Sequence, residues 1–559
     1  MDTPKTFGIT ASKSAETTVF ACPSLRKFGI LVQASKARIE IISINTRHIT
    51  TTGHNMNKLL AVALWALAAT HIAHQISEPD LWWHITVGRW ILSHGTVPDV
   101  DYWNFFGAGK PWLAYSWSME ALLAFAYNET GPSGLIALNY ALAGILVAGF
   151  FCFCGYFAKS KILGPIFGAV VTAGCINHYA LRPQSLSWLL FAWILVACQS
   201  IADKKRIKLV DALSLLLAFS LWANTNITFI IGLVGVALWL FDPENKKESL
   251  KTTALALSIS VIGTLITPYL GREWLTFFSK ADHPLIFASI NEFQPATIYE
   301  PGVGILVIFA LALALLLHKA PSALPITRLM LGLLLSSAGL FVVKFLPFAI
   351  ITITALSLSI WGSHRRNPKD LGNFGVAIEK LEALFAGTSS NKLLFLLLIP
   401  CLLGITLNVE KNLRDPFDLG SMPASSVDFI KNKQLPLPIA HMFGDGGYVM
   451  FRYTDKYGEP SFLVRLDGRT NVNDPNLFKL HEQATSGLTG WQAYFQNIGA
   501  ETIVWRNRFP LIEILLESPD WCRVFAYHRK DDDLSGHSVF VKRAYFEEHR
   551  NELVSDDCK

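Results

Sequence analysis

Charged side chains are scarce in this sequence: Asp, Glu, Lys and Arg make up 16% of its 559 residues, whereas 51% are hydrophobic. A soluble protein of this length carries more charge, so the composition predicts a polytopic membrane protein. The formal net charge is only +5. So small an excess of bases does not indicate a nucleic-acid partner.

Cysteine is also sparse, and five of the eight fall inside apolar runs, where we expect small core residues: Cys152, Cys154, Cys175, Cys198 and Cys401. The C-x-C at 152 and 154 has no histidine nearby, which argues against a metal site there. Cys522 and Cys558 lie in the polar C-terminal part and could pair if that part lies outside the cytoplasm. The sequence contains no internal repeat.

Long apolar runs are what the sequence does contain, and they predict about eleven membrane-spanning helices. Each run has roughly the 17–25 residues that a helix needs to cross a bilayer. They occur near 57–77, 133–158, 162–181, 184–202, 207–224, 226–242, 251–269, 302–318, 325–342, 345–362 and 391–408.

The bases between these runs predict the orientation. When the runs are threaded alternately, the basic loops all fall on one side, which is the cytoplasmic side of a bacterial inner membrane. The N-terminus is then inside and the C-terminal part outside. The basic loops are Lys159–Lys161, 204–208 (KKRIK), 246–251 (KKESLK), 318–328 and 365–369 (RRNPK).

The predicted fold is mainly α, with three parts. Residues 1–55 are expected to be a poorly ordered tail or an over-extended start, because they contain no long apolar run. Residues 56–409 form the transmembrane domain, with a first outer loop at 78–132 that contains surface helices near 84–94 and 117–129. Residues 410–559 form a small extracytoplasmic α/β domain.

Short β-type runs mark the C-terminal part: PIAHMF, YVMFRY, SFLVRL, TIVWR, RVFAYH and SVFVKR. Helical patches are predicted at 476–484 and 510–518. Two polar segments, FGDGGY (443–448) and LDGRTNVND (466–474), contain Asp445, Asp467, Asp474 and Arg469. These residues could bind a ligand, but D-G and G-G pairs first of all form turns.

Acidic and aromatic residues concentrate in the stretch 78–120, directly after the first apolar run. Glu78 and Asp80 come first, and His84 could share a helical face with Asp80. Trp82 and Trp83 could bind a polar, ring-shaped ligand, although tryptophan gathers at membrane interfaces in any case. The carboxylates are more informative, since an acid beside a bilayer needs water, a cation or a partner to compensate its charge.

One set of motifs resembles a known family. EPDLWWHITVGRWILSHGTVPDVDYWNFFGAGKPW, RPQ (182–184), WAN (222–224), TPYLG (267–271), GDGGY and LDGR are similar to those of bacterial multi-span proteins related to the GT-C superfamily of membrane glycosyltransferases. The resemblance covers most of residues 56–545. It implies an enzyme that takes a sugar from a polyprenyl-phosphate carrier on the outer membrane face and passes it to a saccharide, lipid or protein acceptor.

The resemblance also implies roles for particular residues. Asp80, with Glu78 beside it, matches the acid that acts as general base or metal ligand. Asp99 and Asp101 form a D-x-D that could hold Mg²⁺ or Mn²⁺ against a phosphate, although a surface turn explains it equally well. A histidine often follows the WAN segment in this family, and Asn226 stands in its place.

Two isolated bases could bind the carrier phosphate. Arg182 and Lys344 lie at the outer ends of apolar runs, on the side where positive charge is otherwise sparse. A departing lipid phosphate needs cations because negative charge grows on it in the transition state. Alternatively, both are snorkelling side chains that anchor helix ends. Arg272, Lys280 and His283, with Glu292, are weaker candidates.

Two functions of another class fit the same architecture. A transporter of lipid or polysaccharide would carry acids within its spans and broken helices in matching halves, and neither is evident here. A non-catalytic scaffold or assembly subunit could keep a glycosyltransferase fold, since fold does not fix function. These hypotheses make different predictions for Asp80, because only an enzyme requires its carboxylate.

Overall fold

The computed structural model describes residues 58–279, 290–386, 390–418, 422–529, 532–555 and 557–558. The predicted tail at 1–55 lies outside the described residues. Residues 56–559 form one compact unit.

Each of the eleven apolar runs contains a helix, and two further helices lie in the first loop, the name used here for residues 78–132. The helices of this part are α1 (Lys58–Ile72), α2 (Leu81–His94), α3 (Trp117–Thr130), α4 (Pro132–Ala158), α5 (Leu163–Gly174), α6 (Pro183–Lys204), α7 (Leu209–Ala223), α8 (Phe229–Leu240), α9 (Lys246–Leu265), α10 (Glu273–Ser279), α11 (Pro301–Lys319), α12 (Ile326–Phe341), α13 (Leu346–His364), α14 (Gly372–Ala386) and α15 (Ser390–Arg414).

Local sequence explains several helix ends. Pro132, Pro183 and Pro301 stand in the first turns of their helices, where the fixed φ of proline suits the helix and its missing N–H costs nothing. Helix α2 stops at Gly95, whose φ of 64° allows its N–H to donate to the carbonyl oxygen of Ile91. Helices α2 and α3 confirm the two helices predicted near 84–94 and 117–129.

Five helices in the described part are long and apolar enough to cross a membrane, judged by length and composition: Pro132–Ala158, Pro183–Lys204, Pro301–Lys319, Val343–His364 and Leu396–Arg414. Five other apolar helices, α1, α5, α7, α8 and α12, are shorter. The mainly helical architecture is confirmed, and the count of about eleven spans stays a prediction.

The C-terminal part contains a four-stranded sheet with the order β1-β2-β4-β3. Strand β1 (Ile439–His441) runs parallel to β2 (Thr502–Arg506), and β4 (Asp532–Lys542) pairs antiparallel with both β2 and β3 (Trp521–Arg529). The surrounding helices are α16 (Ala424–Asn432), α17 (Gly446–Arg452), α18 (Pro475–Thr485), α19 (Gln492–Ile498), α20 (Leu511–Glu517) and α21 (Arg543–Glu548). A disulfide joins Cys522 and Cys558.

Two of the six predicted strands are wrong. YVMFRY forms helix α17, because Tyr448 and Phe451, three residues apart, both pack on Trp82 with ring centroids 5.2 and 4.9 Å away. SFLVRL does not join the sheet because its backbone pairs with the first loop: Val464 donates to the carbonyl oxygen of Trp103 at 3.0 Å and accepts from Phe105 at 2.9 Å.

Glycines of the C-terminal part lie against helix α2. A Cβ at Gly447 would lie 3.0 Å from the carbonyl oxygen of Pro79, and one at Gly458 would lie 2.5 Å from the backbone nitrogen of Trp90. One hydrophobic core includes residues of both parts, among them Trp82, Trp103, Val449 and Val504. The first loop and the C-terminal part are therefore packed as one body.

We predict that Gly446→Ala lowers stability by about 1–3 kcal/mol, the usual cost of forcing extra atoms into a packed interior. Its Cβ would lie 2.0 Å from the carbonyl oxygen of Leu466, whereas the nearest atom to a Cβ at Gly444 is 3.8 Å away. Gly444→Ala is the matched control and should change stability by no more than about 0.5 kcal/mol. Thermal unfolding in detergent measures both, and equal Tm values would contradict the packing.

Candidate functional site

The carboxylate of Asp80 lies where the chain passes from α1 into α2. Asp80 occupies the N-cap position of α2, but its side chain caps no N–H of that helix. Its backbone nitrogen instead donates to Glu78 Oε1 at 3.1 Å. The Asp80 carboxylate therefore does not cap the helix, as an N-cap aspartate usually does. It lies beside Arg182, which belongs to another element.

Arg182 lies beside this carboxylate, and Lys344 is connected to Arg182 through Glu292. Arg182, just before α6, forms an ion pair with Glu78 and lies 3.6 Å from Asp80 Oδ2. Its Nη1 is also 3.1 Å from Glu292 Oε2, while the Lys344 Nζ is 3.1 Å from Glu292 Oε1. We call these five side chains, Glu78, Asp80, Arg182, Glu292 and Lys344, the Asp80 cluster. The structure therefore brings together four of the residues predicted as site residues.

Burial raises the pKa of Asp80 to about 7; the charge of Arg182 opposes this shift, whereas Glu78 and Glu292 add to it. The side chain is still 26% exposed, so a ligand can reach it. A carboxyl with this pKa exists in both protonation states near neutral pH, which suits a group that accepts or donates a proton.

The turn Leu466–Arg469, called the LDGR turn, covers the carboxylate. A Cβ at Gly468 would lie 2.0 Å from Asp80 Oδ1 and 3.3 Å from Trp83 Nε1, so a larger residue here would displace the Asp80 carboxylate. The indole N–H of Trp83 lies near enough to lower the pKa of Asp80, but it does not meet hydrogen-bond geometry. Trp83 Nε1 and Arg182 Nε are both buried donors without an acceptor in the described structure.

The polar atoms of His84 and Trp82 contact residues outside the cluster. The His84 Nδ1 lies 3.2 Å from Glu120 Oε1, across the contact between α2 and α3. Its ring packs on that of Trp83, with centroids 3.6 Å apart. Trp82 is buried in the core described above, and its Nε1 contacts the sulfur of Met422 at 2.8 Å. Of the two tryptophans predicted to bind ligand, only Trp83 therefore adjoins Asp80.

The surroundings of the His84–Glu120 pair favour the uncharged form of both groups. Burial raises the pKa of Glu120 to about 8, against the opposing charge of Arg469. Burial, together with the charge of Arg182, holds the pKa of His84 well below its usual range. A protonated carboxyl beside a neutral imidazole avoids the large cost of a buried charge.

Arg469 of the LDGR turn is buried between two carboxylates. Its Nη1 donates to Asp101 Oδ1 at 2.7 Å, and its Nε donates to Asp467 Oδ1 at 2.8 Å. The guanidinium also lies over the Trp112 ring, 4.8 Å from its centroid. Burial alone would lower the pKa of Arg469, but the two carboxylates raise it above its usual value.

The D-x-D at 99–101 does not fit a ready cation site. Asp101 uses both oxygens, which accept from Arg469 and from the backbone nitrogens of Trp103 and Asn104, while Asp99 is exposed. Among the described residues, no group of three or more His, Cys, Asp and Glu could hold a metal ion. Binding of Mg²⁺ or Mn²⁺ stays a prediction.

The acids of the two polar C-terminal segments separate. Asp445 pairs with Arg506 at 2.6 Å and with His537 at 3.2 Å, and Asp474 caps helix α18 by accepting from the backbone nitrogens of Asn476 and Leu477. With Asp467 committed to Arg469, the three acids predicted as a ligand site or as turns do not converge on one point.

The remaining motifs hold the first loop in place. Asn224 of WAN accepts from Trp117 Nε1 at 2.6 Å, and Tyr269 of TPYLG donates to the carbonyl oxygen of Pro98 at 2.6 Å. Asn226 accepts from the backbone nitrogen of Thr228 at 3.0 Å. Lys280 and His283 lie outside the described residues.

Glu292 and Glu120 are two acids whose contacts the sequence alone does not indicate. Glu292 bridges the two predicted phosphate-binding bases, and the one available signal was an acid in the same loop as other polar residues. Glu120 was visible only as an acid within an otherwise apolar surface helix. Its partner His84 is 36 positions away, so no local pattern connects them.

This chain is similar in fold to solved structures of other proteins. No family model and no curated protein matches the sequence. Archaeal oligosaccharyltransferase AglB from Archaeoglobus fulgidus, in complex with an inhibitory peptide and a dolichol-phosphate, matches over 90% of this chain and 78% of its own, at 9% identity and a TM-score of 0.48. An Archaeoglobus fulgidus oligosaccharyltransferase tethered with an acceptor peptide matches over 91% and 77%, with the same identity and TM-score. The likeness concerns the general course of the chain.

We predict that Asp101→Asn destabilises the protein by about 3–5 kcal/mol, because it leaves the buried charge of Arg469 undercompensated. Asp99→Asn, two residues away and exposed, is the control and should cost no more than about 0.5 kcal/mol. Thermal unfolding of both variants decides the matter. Similar losses in both would point to a shared role for the D-x-D and against the ion pair.

We predict that Glu120→Gln flattens the dependence of stability on pH. The folded pKa of about 8 lies above the usual value of 4.5, so the native state holds a proton that the unfolded chain has released between these values. Wild-type stability therefore falls as pH rises from about 5 to 8, and the variant lacks this contribution. Tm measured across this range should favour the variant progressively at higher pH; parallel curves would show that Glu120 is ionised in the fold.

Proposed function

We propose that the protein is an integral membrane glycosyltransferase that transfers a sugar from a polyprenyl-phosphate carrier to an acceptor on the outer face of the cytoplasmic membrane. The observation that carries the proposal is the Asp80 cluster. A carboxyl with a pKa of about 7 lies 3.6 Å from a guanidinium, and that guanidinium and a lysine from another segment contact the two oxygens of one carboxylate.

The Asp80 carboxylate is the proposed general base. It accepts the proton of the acceptor group while the acceptor atom forms a bond to the anomeric carbon of the sugar. The bond between that carbon and the phosphate oxygen breaks, and its electron pair leaves with the carrier phosphate. A base of this pKa is ionised in sufficient amount at neutral pH and still holds the proton well.

Arg182 and Lys344 are the proposed partners of the departing phosphate. Both lie 3.1 Å from oxygens of Glu292, and a phosphate presents oxygens with similar spacing and charge. A carrier phosphate would replace Glu292 between the two bases, where it would be stabilised as its charge grows. The buried donors Trp83 Nε1 and Arg182 Nε are further N–H groups that a polar substrate could satisfy.

The position of the cluster also supports a lipid-linked donor. Arg182 directly precedes α6, and Lys344 lies in the turn before α13; both helices belong to segments apolar enough to cross a membrane. A carrier could therefore keep its chain beside these helices while its phosphate reaches the bases. A scaffold would have no use for a carboxyl poised to exchange a proton, and that difference is open to experiment.

We predict that Asp80→Asn lowers sugar transfer by about 10²–10⁴-fold, the usual contribution of a general base, with the fold intact. In the wild type the rate should rise with pH through about 7, because protonated Asp80 cannot accept a proton. The assay is transfer from radiolabelled polyprenyl-phosphate sugars by the full chain in liposomes. Glu129→Gln, an exposed acid of the first loop, is the control.

Glycan profiling identifies the donor class. In a deletion strain, surface polymers and envelope lipids should lose one sugar that wild type restores and Asp80→Asn does not. Full rescue by Asp80→Asn would contradict the enzymatic role and favour a scaffold or transporter.

A further inference from the structure

A cleft opens at the end of helix α6 opposite the Asp80 cluster. Its volume is about 940 Å³. Its lining comes from the ends of α4, α6 and α13, from the starts of α5 and α12, from the turn between α4 and α5, and from residues 323–324. Arg182 precedes the first turn of α6, whereas Gln199, which lines the cleft, lies near its end. At 1.5 Å per residue the two are about 25 Å apart.

The cleft is basic. Lys159, Lys161 and Arg328 line it, and among its described lining residues the one acid is Asp203, which accepts from Gln199 at 2.7 Å. The two lysines are exposed at the rim. These charges favour an anion, since three bases face one acid whose carboxylate already has a donor.

Arg328 is a fixed, buried part of this cleft. Its Nε donates to the carbonyl oxygen of Trp239 at 3.0 Å, and its Nη1 donates to Gln199 Oε1 at 3.0 Å. Its guanidinium lies 5.0 Å from the centre of the Trp239 ring, and only 8% of the residue is exposed. A guanidinium in an apolar helical bundle costs free energy. Such buried bases therefore usually mark a functional site.

An apolar pocket adjoins the basic cleft. It has a volume of about 280 Å³, and Lys161 and Pro165 line both cavities. The rest of its lining is almost wholly hydrophobic and comes from α1, α5, α14 and α15, with Leu64, Ile166 and Phe385 as examples. A basic cavity and an apolar one therefore share a wall.

We propose that the two cavities together bind one anionic phospholipid, with its phosphate at Lys159, Lys161 and Arg328 and part of an acyl chain in the apolar pocket. A soluble phosphate compound would leave the apolar pocket unused, and a neutral lipid would leave the bases unpaired. Basic pockets between membrane helices on the cytoplasmic side bind anionic headgroups, and the loops at this end are those that the sequence predicts to be cytoplasmic. The site is independent of the proposed transferase activity.

The test compares lipid binding in two pairs of lysine substitutions. Lys159→Gln with Lys161→Gln should weaken binding of phosphatidylglycerol about 30-fold, since each base near a headgroup contributes about 1 kcal/mol. Lys246→Gln with Lys247→Gln removes the same charge from an exposed helix start outside the cleft and should leave binding unchanged. Native mass spectrometry of the full chain in detergent, titrated with phosphatidylglycerol or phosphatidylcholine, gives the affinities.

A third variant tests the apolar pocket. Ala169→Phe adds a ring to the pocket wall and should weaken phosphatidylglycerol binding without changing the charge; Tm without lipid checks its fold. Equal binding by both lysine pairs, or no preference over phosphatidylcholine, would overturn the site. Equally tight binding of soluble pyrophosphate, unaffected by Ala169→Phe, would replace the lipid by a soluble anion.

Discussion

A guanidinium buried between two carboxylates holds the first loop against the C-terminal part. Arg469 contacts Asp101 of the loop and Asp467 of its own turn, and all three are almost inaccessible. Burying such charges costs several kcal/mol per ion unless partners compensate them. Here backbone N–H groups and the amide of Asn104, which donates to Asp467 at 3.1 Å, complete the compensation. Because the turn is anchored on both sides of Gly468, that glycine is held against Asp80.

The motifs that lie far apart in the sequence have one physical relation in common: each contacts the first loop. GDGGY provides Gly447 against Pro79, LDGR provides Gly468 and Arg469, WAN provides the acceptor for Trp117, and TPYLG provides the donor to Pro98. RPQ provides Arg182 for Glu78. The glycines matter because backbone approaches this close leave no space for a Cβ. The packing of the first loop thus positions Glu78 and Asp80, whereas Arg182, Glu292 and Lys344 come from other segments.

The sequence predicted what depends on local pattern. Apolar runs predicted the positions of the helices, and the scarcity of bases on one side made Arg182 and Lys344 candidates for binding a phosphate. The sequence could not show that Arg182 and Lys344 both contact Glu292, or that Asp101 pairs with a residue 368 positions away. The spacing of residues along the chain carries no information on such contacts. YVMFRY was misassigned because a short apolar run suits a buried strand or a buried helix equally. The contact of His84 with Glu120 could not be predicted, because it is set by the packing of α2 on α3.

The Asp80 cluster and the basic cleft lie at opposite ends of helix α6. About 25 Å of helix α6 separates the Asp80 cluster from the basic cleft. Two unit charges at that distance interact by only about 0.7 kcal/mol at an effective dielectric constant of about 20. Direct electrostatic influence of one on the pKa values of the other is therefore small. Any effect of a bound lipid on Asp80 would have to travel through the packing of α6 and α13, since both helices have residues at each end: Arg182 and Gln199 for α6, Lys344 and Ser363 for α13.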